Sequence, residues 1–134
     1  MNRQQASQVR QAQKKQPSGK ELTFIPAEQA KFKEVVEGVS MAVVWGNDET
    51  GPYGAITRFV PGFDAGMHTH TNDVRIVVIK GAYLYKDAAG EKRVGPGDFM
   101  FIPGGTKHWS GGDAKEGALF FNEMDGKFDL IPLM

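Results

Sequence analysis

Two stretches of the chain decide its fold and its chemistry: GFDAGMHTH at residues 62–70 and GDFMFIPGGTKH at residues 97–108. The first ends in His68-Thr69-His70. Alternate residues of a strand project to the same face, so a His-X-His on a strand sets two imidazoles side by side, as metal chelation needs. The third histidine, His108, follows a turn at 103–105, and the chain has only these three histidines. If the two strands are neighbours, three imidazoles converge on one divalent metal ion; the alternative is three ordinary polar histidines on loops.

The remainder of the folded part has the pattern of short β-strands. Apolar or aromatic runs alternate with Gly- and Pro-containing breaks every eight to twelve residues, as in sandwiches and barrels. The runs cover residues 22–25, 39–45, 53–60, 66–70, 74–79, 82–86, 91–94, 99–102, 107–110, 118–124 and 128–131. Residues 28–36 fit either one short helix or a strand, because Val35 and Val36 are stiff at χ1. No long helical stretches separate the strands, which disfavours a doubly wound α/β fold, so we predict an all-β domain.

The spacing within the two stretches resembles the two motifs of the cupin superfamily. Gly62 is followed by five residues and His-X-His, and Gly81 closes this first motif; Gly97 is followed by five residues, Pro-X-Gly, two residues and His108. The resemblance covers roughly residues 53–124 and implies a double-stranded β-helix, the cupin jelly-roll barrel. It also implies one divalent ion, which is Fe, Zn, Ni or Mn, on His68, His70 and His108. The chain is similar to the small stand-alone cupins related to the C-terminal domain of ChrR-type anti-sigma factors.

The chain departs from the cupin pattern at two positions. The first motif usually supplies a Glu ligand after His-X-His, but Val74 or Arg75 occupies that place, depending on the register. Neither binds a metal, because valine has no donor atom and arginine stays protonated. Asp73 is adjacent, but strand parity points it away from the imidazoles unless a bulge intervenes. Gly112 replaces the final Asn of the second motif, which weakens the usual loop closure.

Two further residues are candidates for catalytic roles. Arg75 fits either an anion clamp at the mouth of the pocket or a charge at the rim or at a dimer interface. Glu123 and Asn122 follow His108 on the next predicted strand, and one of the two should face the barrel interior. Glu123 is therefore a candidate base or supporting residue, with a structural role as the alternative.

The site suggests three functions. Three neutral imidazoles leave an open metal face, and without the carboxylate the centre carries about two positive charges, which favours a bidentate anion. The resemblance implies precedents among three-His cupin dioxygenases that use Fe(II), so the first hypothesis is a dioxygenase-like enzyme acting on a small anionic substrate. The second is a non-catalytic metal-dependent sensor or small-molecule-binding module. A Zn²⁺ hydrolase is the third, and the sequence shows no carboxylate clearly placed as its proton shuttle.

Composition limits the partners. The 134 residues include no cysteine, and no apolar run approaches the roughly 20 residues of a membrane helix. Residues 1–20 form a Gln-rich tail with five basic residues and no acids, which we predict to be disordered, and 21–134 form the cupin domain. The domain then carries 11 basic and 16 acidic residues, a poor match for nucleic acid.

The resemblance bears on the assembly of the chain, and the tail bears on its compartment. The resemblance implies a homodimer, and the apolar run 22–25 is a candidate for covering a sheet edge. The tail contains no apolar segment of a secretory signal, and the compartment stays open between the cytoplasm and, for a processed chain, an exported location.

Overall fold

The computed structural model describes residues 17–134, and it is all-β apart from one turn of 3-10 helix at Ala27–Gln29. The eleven strands are β1 Lys33–Val36, β2 Val39–Gly46, β3 Tyr53–Phe59, β4 Asp64–Thr69, β5 Val74–Gly81, β6 Tyr83–Asp87, β7 Gly90–Val94, β8 Phe99–Ile102, β9 His108–Gly112, β10 Ala118–Met124 and β11 Ile131–Pro132. Between residues 17 and 134 no helix is long and apolar enough to cross a membrane.

The strands form two antiparallel sheets. The six-stranded sheet has the order β1-β2-β3-β10-β5-β8, and the five-stranded sheet has the order β11-β4-β9-β6-β7. This is the jelly-roll barrel that the sequence predicts. Most connections are short turns with glycine at their tightest points. At Gly81, φ is +72° and a Cβ would lie 2.2 Å from the Gly117 carbonyl oxygen, so only glycine fits the position that closes the first motif.

The core lies between the two sheets. Burial alternates strictly along β10, where Ala118, Phe120, Asn122 and Met124 point inward, as expected for a sheet with one packed face. Phe120 meets the rings of Phe59 and Tyr83 edge-on, at centroid distances of 5.0 and 5.2 Å. Burying each such ring stabilises the fold by about 2–3 kcal/mol.

Three sequence predictions about elements need correction. Residues 22–25 do not form a strand, and Leu22 and Phe24 are exposed. The ambiguous stretch 28–36 is a strand only at Lys33–Val36, and of the run 128–131 only residue 131 lies in a strand, β11. The first edge strand is therefore β1.

Two expectations are not decided by this single chain. Residues 1–16 of the predicted disordered tail lie outside the described residues; at Pro17, the carbonyl oxygen accepts a hydrogen bond from the Gly46 amide.

The homodimer stays a prediction. Exposed apolar side chains do occur on the outer face of β5 and of the edge strand β8, namely Val77, Ile79, Phe99 and Phe101. Sedimentation velocity of the purified chain tests the homodimer. A monomer at all concentrations would contradict the prediction.

Candidate metal centre

The three histidines meet between β4 and β9. These strands are antiparallel neighbours, and His68 is paired directly with His108. His70 follows just after the end of β4, and the parity of the chain returns its ring to the same face. The potential ligand nitrogens of all three lie within 4.8 Å of one another. The structure thus brings together the three residues that the sequence singled out, and such a group could hold a metal ion.

The hydrogen bonds of the rings decide which nitrogen faces the centre. The Nδ1 atoms of His68 and His108 lie 2.8 Å from the backbone carbonyl oxygens of Gly66 and Thr106, and His70 Nδ1 contacts that of Asp129. A carbonyl oxygen only accepts, so each Nδ1 carries the proton and each Nε2 carries a lone pair. Metal-binding histidines are oriented in this way by carbonyls or carboxylates.

Two of these Nε2 atoms lack any protein partner. His68 and His108 are fully buried, and their Nε2 atoms are the buried side-chain polar atoms without a hydrogen bond within residues 17–134. Native proteins pair nearly all buried polar groups, because an unpaired one costs about 1–3 kcal/mol. Converging unpaired lone pairs fit a divalent cation, so the residues present suit the ion that the motifs imply.

The pKa values of the three histidines favour the neutral form of their rings. Burial lowers the pKa of His68 to about 4, and it also lowers the pKa of His70 and His108. All three imidazoles are therefore neutral at pH 7, which is the form that binds metal. The ring of Tyr85 stacks on His108 at a centroid distance of 5.4 Å and helps to keep it dry.

A cavity of about 50 Å³ opens beside the imidazoles, between the two sheets. Its polar lining residues other than histidine are Tyr53, Thr57, Tyr83, Ser110 and Asn122, and the rest of its wall is apolar. Among residues 17–134, the lining contains no carboxylate and no lysine or arginine. A bound ion would therefore be the main charge in this space, and the volume corresponds to roughly three or four water molecules.

Sequence comparison then places the chain in a family. Residues 20–126 match the model of the ChrR cupin-like domain, which is most of the chain. The chain belongs to the ChrR cupin-like family. No curated protein matches it in sequence.

Solved structures resemble this cupin in fold. KdgF from Halomonas sp. is 19% identical with a TM-score of 0.65, over 81% of this chain and 97% of that one. The polyketide cyclase RemF from Streptomyces resistomycificus is 16% identical with a TM-score of 0.66, over 85% and 87% of the two chains. An RmlC-like cupin from Shewanella frigidimarina is 18% identical with a TM-score of 0.63, over 78% and 91%. At these identities the likeness shows the shared fold alone.

The position of the usual glutamate is apolar in this cupin. Val74 is 5% exposed and lines the cavity with its side chain. Asp73 points elsewhere, as strand parity predicts, and its carboxylate accepts a hydrogen bond from the Gly104 amide at 2.7 Å. That contact holds the turn before β9 against the end of β4, where a Cβ on Gly104 would lie 2.4 Å from the Thr71 carbonyl oxygen.

The structure does not bring Arg75 to the imidazoles, which corrects the anion-clamp hypothesis and leaves the alternative of a charge outside the pocket. Arg75 alternates with the inward-pointing Val74, so the Arg75 side chain projects from the outer face of the sheet. There the guanidinium binds Asp125 at 3.0 Å and lies over the ring of Phe101 at 5.0 Å.

Glu123 is also separated from the imidazoles, because Asn122 is the member of the pair that faces the interior. The Glu123 carboxylate accepts a hydrogen bond from Trp45 Nε1 at 3.0 Å on the outer face. The two residues predicted as catalytic thus have structural partners of their own. Asn122 takes the interior position instead.

The sequence reasoning missed the segment after β10. Phe128 and Leu130 line the cavity, and the Asp129 carbonyl oxygen orients His70. The Asp129 carboxylate binds the amide and the hydroxyl of Thr71, which fixes the segment to the end of β4. The only signal was the alternation of apolar residues at 128 and 130, which indicated a strand but not its contact with a histidine.

Proposed function

We propose that this cupin is a metal-dependent dioxygenase-like enzyme that binds one divalent ion on His68, His70 and His108 and acts on a small anionic bidentate substrate. The observation that carries the proposal is the set of three convergent imidazoles, two of them with unpaired Nε2 atoms, beside a small cavity that no carboxylate, lysine or arginine of residues 17–134 lines. In this proposal the ion is Fe(II), which would supply the redox chemistry.

The absence of a carboxylate near the ion favours an anionic ligand. With three neutral ligands the centre keeps about two positive charges, and a buried charge is costly unless it is compensated. Since the described cavity wall has no carboxylate, the compensating charge has to come from the substrate. Enolates, carboxylates and thiolates that chelate through two atoms satisfy this requirement.

The protein's own residues hold the three imidazoles in place and keep the cavity beside them dry. The backbone carbonyls fix the tautomer and the orientation of the three rings, so they need no rearrangement when an ion binds. Val74, Phe128 and Leu130 are apolar walls that exclude water from the space beside the imidazoles.

One observation favours the alternative, a non-catalytic metal-dependent binding module. The ionisable groups that line the cavity are the two imidazoles His68 and His70 and the phenols Tyr53 and Tyr83. Burial raises the pKa of Tyr83 to about 12 and raises that of Tyr53 as well. Neither phenol therefore exchanges a proton readily at pH 7. A zinc hydrolase, which needs such a group, is disfavoured.

Oxygen consumption separates the enzyme from the binding module. The protein is prepared without a histidine tag, loaded anaerobically with Fe(II), and offered diketones, thiols and hydroxy acids. We expect substrate-dependent oxygen uptake with at least one class, and none from His108→Ala or the zinc-loaded protein. Stoichiometric binding of iron without uptake on any class would contradict the enzyme and support the binding module.

A further inference from the structure

Opposite the imidazoles, the six-stranded sheet presents three neutral polar side chains to the same cavity. Tyr53 and Thr57 lie on β3, and Asn122 lies on the adjacent strand β10. All three are buried, with exposed fractions of 0, 3 and 5%. Polar groups of this kind inside a barrel need partners, so the question is where their hydrogen bonds go.

Only part of this hydrogen-bonding capacity is used inside the protein. The Thr57 hydroxyl donates to Asn122 Oδ1. The Asn122 side chain also hydrogen-bonds to the Tyr53 hydroxyl, which favours the ionised phenol, but burial raises the pKa of Tyr53 by more and keeps the phenol protonated.

The proton of the Tyr53 hydroxyl has only weak acceptors. The two atoms within reach of its proton are the thioether sulfurs of Met41 and Met124, at 3.8 and 3.9 Å. Thioether sulfur is a weak acceptor. A fully buried phenol normally finds an oxygen, and this one has none within the described residues although it lines a cavity. The arrangement leaves the Tyr53 hydroxyl proton as a neutral donor at the space beside the imidazoles.

We propose that the Tyr53 hydroxyl, with Asn122 hydrogen-bonded beside it, donates a hydrogen bond to an uncharged oxygen of the ligand. The inference rests on the proposed function, because the other end of the ligand would chelate the ion held by the histidines. The ligand class is then a small carboxylate or enolate that carries a further hydroxyl or carbonyl oxygen at its far end. A negative charge at that end is disfavoured, since no described cation lines the cavity to neutralise it.

Two α-keto acids of equal size test the selectivity. Hydroxypyruvate and 2-oxobutyrate carry the same chelating group and the same charge, and they differ by a terminal hydroxyl or methyl. Their binding to Co(II)-loaded protein is followed by the visible spectrum of the ion. We expect the wild-type protein to prefer hydroxypyruvate by about 10-fold or more, because the methyl of 2-oxobutyrate leaves the Tyr53 hydroxyl without an acceptor. Tyr53→Phe should remove this preference, so that the two acids bind with similar affinities.

Tyr85→Phe is the matched control. Its hydroxyl is already bound to Asp87 at 2.6 Å, and the substituted ring can keep its stacking on His108. This variant should keep the preference for hydroxypyruvate. Equal affinity of the wild-type protein for both acids would overturn the inference while leaving the metal site intact. Failure to bind Co(II) would instead defeat the proposed function.

A second measurement decides the inference even without a metal. If the Tyr53 hydroxyl serves ligand binding, Tyr53→Phe should leave the Tm of the metal-free protein unchanged or raise it. Residues at other functional sites oppose stability in the same way. Tyr85→Phe loses a satisfied hydrogen bond, and its Tm should fall. A fall of about 5 °C or more in Tyr53→Phe would show a structural hydroxyl and overturn the inference.

Discussion

His68→Ala and His108→Ala each lower the affinity for a divalent ion by a factor of about 100 or more. Protein zinc sites with four ligands bind with about 10–16 kcal/mol, so each ligand accounts for roughly 3 kcal/mol. Each substitution removes one Nε2 donor from the three that converge between β4 and β9. A competition titration of the purified variants with a chromophoric chelator measures the loss.

The fold should survive both substitutions. In the metal-free protein each removed Nε2 atom is unpaired, so its loss offsets part of the packing lost with the ring. Arg75→Ala is the matched control, because the guanidinium lies on the outer face with Asp125. It should bind the ion as the wild-type protein does. Wild-type occupancy in the protein with both histidines replaced would show that the ion lies elsewhere.

The metal-free protein loses stability as the pH falls from about 6.5 to 4. The pKa of His68 is about 4 in the folded chain, and an unfolded histidine has a pKa near 6.5. The unfolded state therefore binds more protons across this window, and its proton uptake favours unfolding. The stabilisation is complete above pH 6.5 and declines towards pH 4, by about 3 kcal/mol from His68 alone. Urea unfolding at pH 7 and pH 4.5 measures it.

The pH range from about 6.5 to 4 separates the titration of the histidines from that of the carboxyl groups. The carboxyl groups with lowered pKa values titrate below it: Asp113, with a pKa of about 2, and Asp64, Asp87 and Asp129, each below the usual value. His68→Leu replaces the ring by an apolar side chain of similar reach, and its unfolding free energy should change less with pH. A wild-type protein as stable at pH 4.5 as at pH 7 would contradict the buried, neutral imidazoles.

The sequence could predict the barrel and the three histidines because both depend on short-range rules. The period of two along β4 places His68 and His70 on one face, and the turn at 103–105 sets His108 at the start of β9. Glycine spacing marks the ends of strands, where close backbone contacts such as that of Gly81 leave no room for a side chain. These constraints act within a few residues and are visible in the chain.

The rest depends on contacts between distant segments. Asp129 reaches His70 across 59 positions of sequence, and no local pattern indicates which carbonyl will orient a ring. Residues 22–25 fit a strand by composition, but they pair with no other strand within residues 17–134. The inward position of Val74 implies that Arg75 points outward, so strand parity alone already favoured a charge outside the pocket over the anion clamp.

The measurement that tests the central claim most directly is X-ray absorption spectroscopy of the zinc-loaded, untagged protein. With one ion per chain, we predict three imidazole nitrogens at about 2.0–2.1 Å, completed by water or an added anion and by no protein carboxylate. The imidazole signal should fall to two in His70→Ala. A spectrum with one imidazole or none, or with protein carboxylates around the ion, would contradict a three-histidine centre in this cupin.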